Sequence, residues 1–224
     1  MLEDTHKQQG LRKKLIEGIE KKGIENIAIL NAMLRVPRHS FFFDPEFLHR
    51  AYDDTAFPIG EGQTISQPYT VAYQTQLLEI NKSDKILEIG TGSGYQAAVL
   101  AEMGARVFTI ERQKKLFDRT RALYEELMPL RPAIMRVKMK YGDGYEGWPT
   151  FAPFDKVLVT AGANEIPHKL IDQLKNGGIM VIPVGSEKMQ QMVRITKISK
   201  DEIKQEVFDS FKFVPFLKGK TNGA

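Results

Sequence analysis

The sequence predicts an α/β fold: an open, mostly parallel sheet with helices on both faces and an antiparallel C-terminal end. Three observations predict it. The stretch from Lys85 to Glu111 reads strand, glycine loop, helix, strand, acid, which is half of a mononucleotide-binding βαβ unit. Short apolar runs then alternate with a helical pattern as far as Pro183, as parallel strands joined by crossovers require. From Met192 onward two alternating runs, separated by Lys200-Asp-Glu, have the pattern of antiparallel strands.

Taken in order, the chain opens with two helices, about Thr5 to Lys22 and Asn26 to Arg35. Leu11, Leu15, Ile16 and Ile19, then Ile27, Ile29, Leu30, Met33 and Leu34, recur at helical spacing, and Gly23 separates the two. Val36-Pro37 ends the second helix. The stretch from Ser40 to Gly62, with Pro45, Pro58 and Gly60, is too long for a simple connection and predicts an ordered cover over a site. Gln63 to Tyr69 leads into a helix through Val71, Ala72, Leu77 and Leu78; by itself Ser66 or Gln67 before Pro68 reads as a helix cap.

Beyond the opening unit, Lys114 to Met128 predicts a helix stopped by Pro129, and Ala133 to Lys140 a strand leading into Gly142-Asp143-Gly144. Pro153 to Thr160 is a buried strand, Pro167 to Lys175 a short helix, and Gly177-Gly178 opens a strand from Ile179 to Pro183. Met192 to Ile198 and Val207 to Phe216 are the antiparallel pair. The expected organisation is one domain, with N-terminal helices and cover over 1–62, an α/β core over 63–184 and C-terminal strands over 185–224.

The 224 residues, 42% hydrophobic and 27% charged, suit one soluble domain with a proper core. No run approaches the ~18 apolar residues of a membrane span, and the N-terminal MLEDTHKQQGLRKK has no apolar core of a signal peptide, so a cytoplasmic protein without a membrane partner is expected. The chain has no cysteine, which excludes disulfides, thiolate nucleophiles and thiolate-bound zinc. His6, His39, His49 and His168 lack metal-site spacing, so no metal is expected. The net charge of +4 is mild and spread along the chain, and no nucleic-acid partner is expected.

A chain turning from strand into helix on several glycines lets a ligand approach the backbone where a Cβ would collide. An acid at the tip of the following strand, Glu111, is placed to accept hydrogen bonds from ribose hydroxyls. Ligands on open α/β sheets bind at the carboxyl ends of the parallel strands, and Gly90 to Gly94, Glu111, Asp143 and Thr160 to Gly162 all fall on that edge.

Glu88-x-Gly90-x-Gly92-x-Gly94, Glu111 and Gly142-Asp143-Gly144 together resemble the Rossmann-like class I methyltransferases that bind S-adenosylmethionine. Dinucleotide-binding loops have the spacing G-x-G-x-x-G instead. Gln63-Thr-Ile-Ser66-Gln-Pro-Tyr69, Leu87 to Gln96, Pro153-Phe-Asp155, Glu165-Ile-Pro167 and Phe213-Val-Pro215 narrow the likeness to the protein-L-isoaspartate O-methyltransferase family. The resemblance covers about Met33 to Lys218. Ala163-Asn164, where many members have two prolines, departs from the pattern.

The resemblance implies methyl transfer from S-adenosylmethionine, leaving S-adenosylhomocysteine, to the free carboxylate of L-isoaspartyl residues in damaged proteins and peptides. It implies Ser66 as the catalytic residue, and Gln63, Thr64, Ile65, Glu88, Gly90, Gly92, Ser93, Gly94, Glu111, Asp143 and Gly144 as residues around the cofactor. A carboxylate with a pKa near ~4 is already ionised at neutral pH and needs no general base, so positioning is the main task. The dipole and free amides of the helix beginning at Pro68 are expected to help hold that anion. Phe213 to Phe216 and the cover around Tyr52 to Ile59 are expected to line the peptide groove. A methyltransferase acting on RNA or a small molecule, a non-catalytic binding module and a nicotinamide enzyme stand as alternatives at this point.

Overall fold

The computed structural model describes residues 3–221. Helix α1 spans His6–Glu20 and begins with a reciprocal cap, in which Thr5 and Gln8 each bond the other's backbone. Helix α2, Ile27–Arg35, is capped by Asn26, whose side chain accepts from the amides of Ala28 and Ile29. After two short 3₁₀ turns, Arg38–Phe41 and Pro45–Arg50, comes an antiparallel hairpin of β1, Phe57–Gly60, and β2, Gln63–Ile65. Helix α3, Pro68–Leu77, follows two residues later.

The main sheet has seven strands: β3 Lys85–Ile89, β4 Arg106–Glu111, β5 Val137–Tyr141, β6 Phe154–Val159, β7 Leu174–Gly185, β8 Gln190–Lys197 and β9 Ile203–Phe211. Their order is β5-β4-β3-β6-β7-β8-β9; β3 through β7 pair in parallel, and β7, β8 and β9 pair antiparallel. Helix α4, Tyr95–Glu102, joins β3 to β4, α5, Lys114–Leu127, joins β4 to β5, and α6, His168–Asp172, precedes β7. The chain moves outward from β3 in one direction and then restarts from β6 in the other. The strand order therefore reverses between β3 and β6, where a crevice opens at the carboxyl ends.

Alternation along the strands separates two cores. Ile86, Val107, Leu158 and Val181 pack in one cluster with Ile16 and Ile19 of α1, Ile29 and Met33 of α2, Val71 of α3, most of α4, and Leu116, Tyr124 and Leu127 of α5. Leu87, Ile89, Phe108, Ile110, Val157, Val159, Met180 and Ile182 face the other way, onto Leu170 and Ile171 of α6, Trp148, Phe151 and Phe216. The first face thus carries five helices. The second has one short helix, 3₁₀ turns and the C-terminal segment.

Several element boundaries differ from those read in the sequence. The expected strand from Ala133 begins as a 3₁₀ turn over Pro132–Arg136, because Pro132 has no amide to offer a ladder, and β5 starts only at Val137. Strand β7 starts at Leu174, ahead of the Gly177-Gly178 pair, with a register shift opposite Phe154 to Lys156 that absorbs the glycines. The last strand, expected from Val207 to Phe216, starts earlier, at Ile203, and does not run to Phe216. It ends at Phe211, and Phe213 to Phe216 cross the strand ends instead, with the Gly162 amide donating to Val214 O at 2.8 Å and the Phe216 amide donating to Gly162 O at 2.7 Å.

Two buried charged groups stand out in this frame. The Lys197 ammonium is turned inward and donates to the carbonyls of Ile171, Asp172 and Leu174 at 3.0, 3.2 and 3.0 Å, closing the C-terminal end of α6. Glu88, in the central strand, is fully buried beside Thr109, its register partner on β4, whose hydroxyl donates to Oε2 at 2.5 Å. Its other oxygen has no partner among the described residues. Burial pushes the Glu88 carboxyl up to about 8, against the lowering effect of the Thr109 hydroxyl.

Replacing Lys197 by Met strands three carbonyls and is expected to cost about 2–4 kcal/mol of unfolding free energy, read by urea denaturation. For Glu88 the folded-state value lies above the ordinary value of 4.5, so its contribution is fully present below about 4.5 and is lost as pH rises through about 8. Glu88→Gln, a neutral isostere, is expected to gain on the wild type between pH ~5 and ~8, by at most about 1.4 kcal/mol per pH unit. Thermal denaturation at a series of pH values would show this, and parallel curves for the two proteins would refute it.

Candidate active site

The crevice between β3 and β6 is floored by the glycine loop that leaves β3. Gly90 and Gly94 both have positive φ, at +97° and +86°, so each turn favours glycine. Both are also crowded by the protein itself: a Cβ on Gly90 would lie 2.4 Å from Thr160 Oγ1, and one on Gly94 would lie 2.6 Å from Tyr124 Cε1. The loop between them is pinned from three sides. The Gly92 amide donates to Glu111 Oε2 at 2.8 Å, Thr120 donates to Gly92 O at 2.6 Å, and the Tyr124 hydroxyl donates to Gly94 O at 2.6 Å.

Glu111 closes β4 and lines the crevice. Its Oε1 accepts from the Gln113 amide at 2.8 Å, so each of its oxygens already has one amide donor. Burial pushes this carboxyl up, while the amides of Gln113 and Gly92 pull it back down. A carboxylate oxygen accepts more than one hydrogen bond, so the two oxygens retain capacity for the paired hydroxyls of a sugar. Thr91 extends the polar floor inward: its hydroxyl meets that of Thr109 at 2.7 Å, and Thr109 in turn donates to Glu88.

Across the crevice stands the β2 segment. Gln63, Thr64, Ile65 and Ser66 line the same cavity as Gly90, Gly92, Ser93, Glu111 and Gly144. Thr160 ties the floor to β6 by donating to Gly90 O at 2.8 Å and to Ile89 O at 3.0 Å. Val214 to Leu217 form the outer wall. Phe216 is held in place by stacking on Tyr145, with ring centroids 3.9 Å apart.

A second cavity adjoins the first. Gln67, Tyr69, Thr70, Met189 and Ser210 to Phe213 line it, and it shares Thr64, Ser66, Thr160 and Val214 with the glycine-loop cavity. The Ser66 hydroxyl, half-buried at this junction, has no hydrogen-bond partner among the described residues. Segment 213–216 is anchored from below by Gln190, whose Oε1 accepts from the Phe213 amide at 2.8 Å.

Of the residues expected here, Ser66, Gln63, Thr64, Ile65, Gly90, Gly92, Ser93, Glu111 and Gly144 line the first cavity. Glu88, Gly94 and Asp143 do not. Glu88 lies beneath the floor and reaches the cavity only through Thr109 and Thr91, and Gly94 is covered by Thr120 and Tyr124. Asp143 accepts from the Tyr145 amide at 2.9 Å and the Gly219 amide at 2.7 Å, so its carboxylate is engaged by the chain. At the start of α3, where an anion site was expected, one donor is already engaged. Pro68 has no amide, and the amide of Tyr69 donates to Asp54 Oδ1 at 2.8 Å, so a resident carboxylate already occupies that position.

Sequence reading did not single out Thr91, Tyr95, Gln96, Arg112 or Leu217, all of which line the cavity. Tyr95 carried a signal as the residue after the glycines. It is buried between Phe41, at 5.5 Å between centroids, and the guanidinium of Arg38, 5.1 Å from the ring, and burial pushes its hydroxyl up to about 12. Gln96 donates to Thr75 Oγ1 at 3.0 Å and leaves Oε1 buried without a partner among the described residues. Leu217 had no local signal, since it enters the site only because the chain leaves β9 early. Among the described residues no group of three or more potential ligands could hold a metal ion, and no helix is long and apolar enough to cross a membrane.

The comparisons with known proteins extend over nearly the whole chain. The family described as protein-L-isoaspartate(D-aspartate) O-methyltransferase matches residues 10–221. The protein-L-isoaspartate O-methyltransferase of Flavobacterium psychrophilum is 52% identical over 219 residues, covering 98% of this chain and 100% of the relative. That of Cytophaga hutchinsonii is 51% identical over 216 residues, covering 96% and 95%. A solved protein-L-isoaspartate O-methyltransferase superposes with a TM-score of 0.81 at 29% identity, over 91% of this chain and 65% of that one. A Plasmodium falciparum structure, described as a putative member in complex with S-adenosyl-L-homocysteine, gives a TM-score of 0.79 at 26% identity, over 93% and 99% of the two chains. With a family match across the chain and half of its residues shared with full-length relatives, this protein belongs to the protein-L-isoaspartate(D-aspartate) O-methyltransferase family.

Proposed function

We propose that the junction of the two cavities is where a methyl group passes from S-adenosylmethionine to the free carboxylate of an L-isoaspartyl residue, with Ser66 as the residue that aims the carboxylate. The family membership gives the reaction, a methyl esterification that serves protein repair. The observation that carries the assignment of residues is that Ser66, with no hydrogen bond among the described residues, belongs to the walls of both cavities.

The first cavity fits a nucleoside sulfonium compound. Its floor is bare backbone at Gly92, where the nearest atom to an added Cβ is a flexible methyl of Ile59 at 3.5 Å. Under this reading Glu111 holds the ribose, Gly144 flanks the base, and the loop from Gly90 to Ser93 lies along the remainder. The unpartnered Gln96 oxygen supports a ligand that brings a donor of its own. When bound, S-adenosylmethionine supplies an electrophilic methyl group on a positively charged sulfur.

The chain's own residues have a positioning task. A substrate carboxylate with a pKa near ~4 is ionised at neutral pH, so no protein base is required. The Ser66 hydroxyl donates one hydrogen bond to one carboxylate oxygen and leaves the other free to attack. Thr64, Thr160 and Val214, shared by both walls, flank the gap and set the approach. Met189 and Ser210 to Phe213 give the second cavity a long open side, which suits an extended peptide. Cytoplasmic residence is part of the same proposal and rests on the composition of the chain.

Ser66→Ala is expected to lower kcat by about tenfold to a hundredfold while calorimetric affinity for S-adenosylhomocysteine changes less than about threefold. An unchanged methylation rate would remove Ser66 from the mechanism. Radiolabelled methyl transfer to an isoaspartyl peptide, its aspartyl twin and an RNA is expected to label the first alone; equal labelling of both peptides would overturn the substrate assignment.

A further inference from the structure

We propose that Asp54 is the positioning residue of the Ser66 wall: its carboxylate supplies the N-cap that α3 lacks and thereby fixes where the serine hydroxyl stands. The inference rests on the reading of Ser66 given above. Residue 67 occupies the N-cap position, but the Gln67 side chain makes no capping bond, and Pro68 at the first helical position has no amide. The first amide that needs a partner is that of Tyr69, and it donates to Asp54 Oδ1 at 2.8 Å, from a loop fifteen positions upstream. Gln67 is tied to the same residue by its own side chain, which donates to Asp54 O at 3.1 Å. The two bonds hold the Gln67 side chain and the Pro68–Tyr69 peptide, one and three residues beyond Ser66, so residue 54 constrains the chain direction at the serine.

The loop that carries Asp54 is itself braced from the interior. Arg38 is fully buried and donates from Nε to Ala51 O at 3.0 Å and from Nη2 to Thr55 O at 3.3 Å, on either side of Asp54. A third nitrogen, Nη1, has no partner among the described residues. An arginine spent on two loop carbonyls in the interior makes sense where loop position matters more than the desolvation it costs. On the outer side, Asp54 Oδ2 pairs with Lys22 at 2.6 Å, but the lysine side chain is half exposed, and such pairs contribute little. The amide bond and the ion pair on one carboxylate can therefore be separated by mutation.

Five variants would be compared with the wild type at saturating S-adenosylmethionine and isoaspartyl peptide. Asp54→Ala is expected to reduce kcat about tenfold with unchanged affinity for S-adenosylhomocysteine. Asp54→Asn, which keeps an oxygen for the Tyr69 amide, is expected to remain within about threefold of wild type, and Lys22→Ala to match wild type. In the Ser66→Ala background, Asp54→Ala is expected to cause no further loss, because it acts through the serine. An Asp54→Ala rate equal to wild type, an Asn variant as slow as the Ala variant, or an undiminished second loss in the Ser66→Ala background would each overturn the inference. A Ser66→Ala rate equal to wild type would instead sink the reading beneath it. Should Asp54→Ala not fold, Gln67→Ala removes the other bond to residue 54 and is expected to show a smaller loss that likewise vanishes without Ser66.

Discussion

The site depends on how the glycine loop is held. Its backbone carries no side chains of its own at Gly90, Gly92 and Gly94, so its shape is imposed by groups that arrive from the elements that follow it in the chain. Glu111, at the end of the next strand, accepts the Gly92 amide, and Thr120 and Tyr124, on the next helix, donate to the carbonyls of Gly92 and Gly94. Thr160, from the strand beyond the switch point, closes the other side. The loop is therefore a consequence of the parallel βαβ arrangement. It has its active shape only when β3, β4, β6 and α5 are all in place.

The alternating glycines accordingly have two different reasons. Sequence reasoning gave them one, room for a ligand, and that suits Gly92, which faces the cavity. Gly90 and Gly94 answer to the protein's own Thr160, Thr120 and Tyr124, whose atoms fill the space that a Cβ would need. Spacing alone does not distinguish the two reasons, because the crowding atoms lie 26 to 70 residues away along the chain.

Legibility followed the same division throughout. Elements set by local periodicity, such as α1, α2, α5 and the buried strands β3, β4 and β6, lie within a residue or two of where the apolar pattern puts them. The tail was misread past Phe211 because its alternation continues through Phe213, and what ends β9 is a tertiary bond, the pairing of Val214 and Phe216 with Gly162. At the site, the βαβ pattern supplied Glu111 and the resemblance Ser66. Neither supplied Asp54, whose partner amide is fifteen positions away, or the engagement of Asp143 by Gly219. Acidic residues are easy to read as ligand-binding groups. Whether they bind a ligand or the chain itself is decided by backbone amides that no side-chain motif records.

The shared wall has a thermodynamic consequence. Thr64, Ser66, Thr160 and Val214 are surfaces of both cavities at once, so a molecule that orders them in one cavity alters what a molecule in the other must order. Such linkage is reciprocal: whatever factor the nucleoside contributes to peptide affinity, the peptide contributes equally to nucleoside affinity.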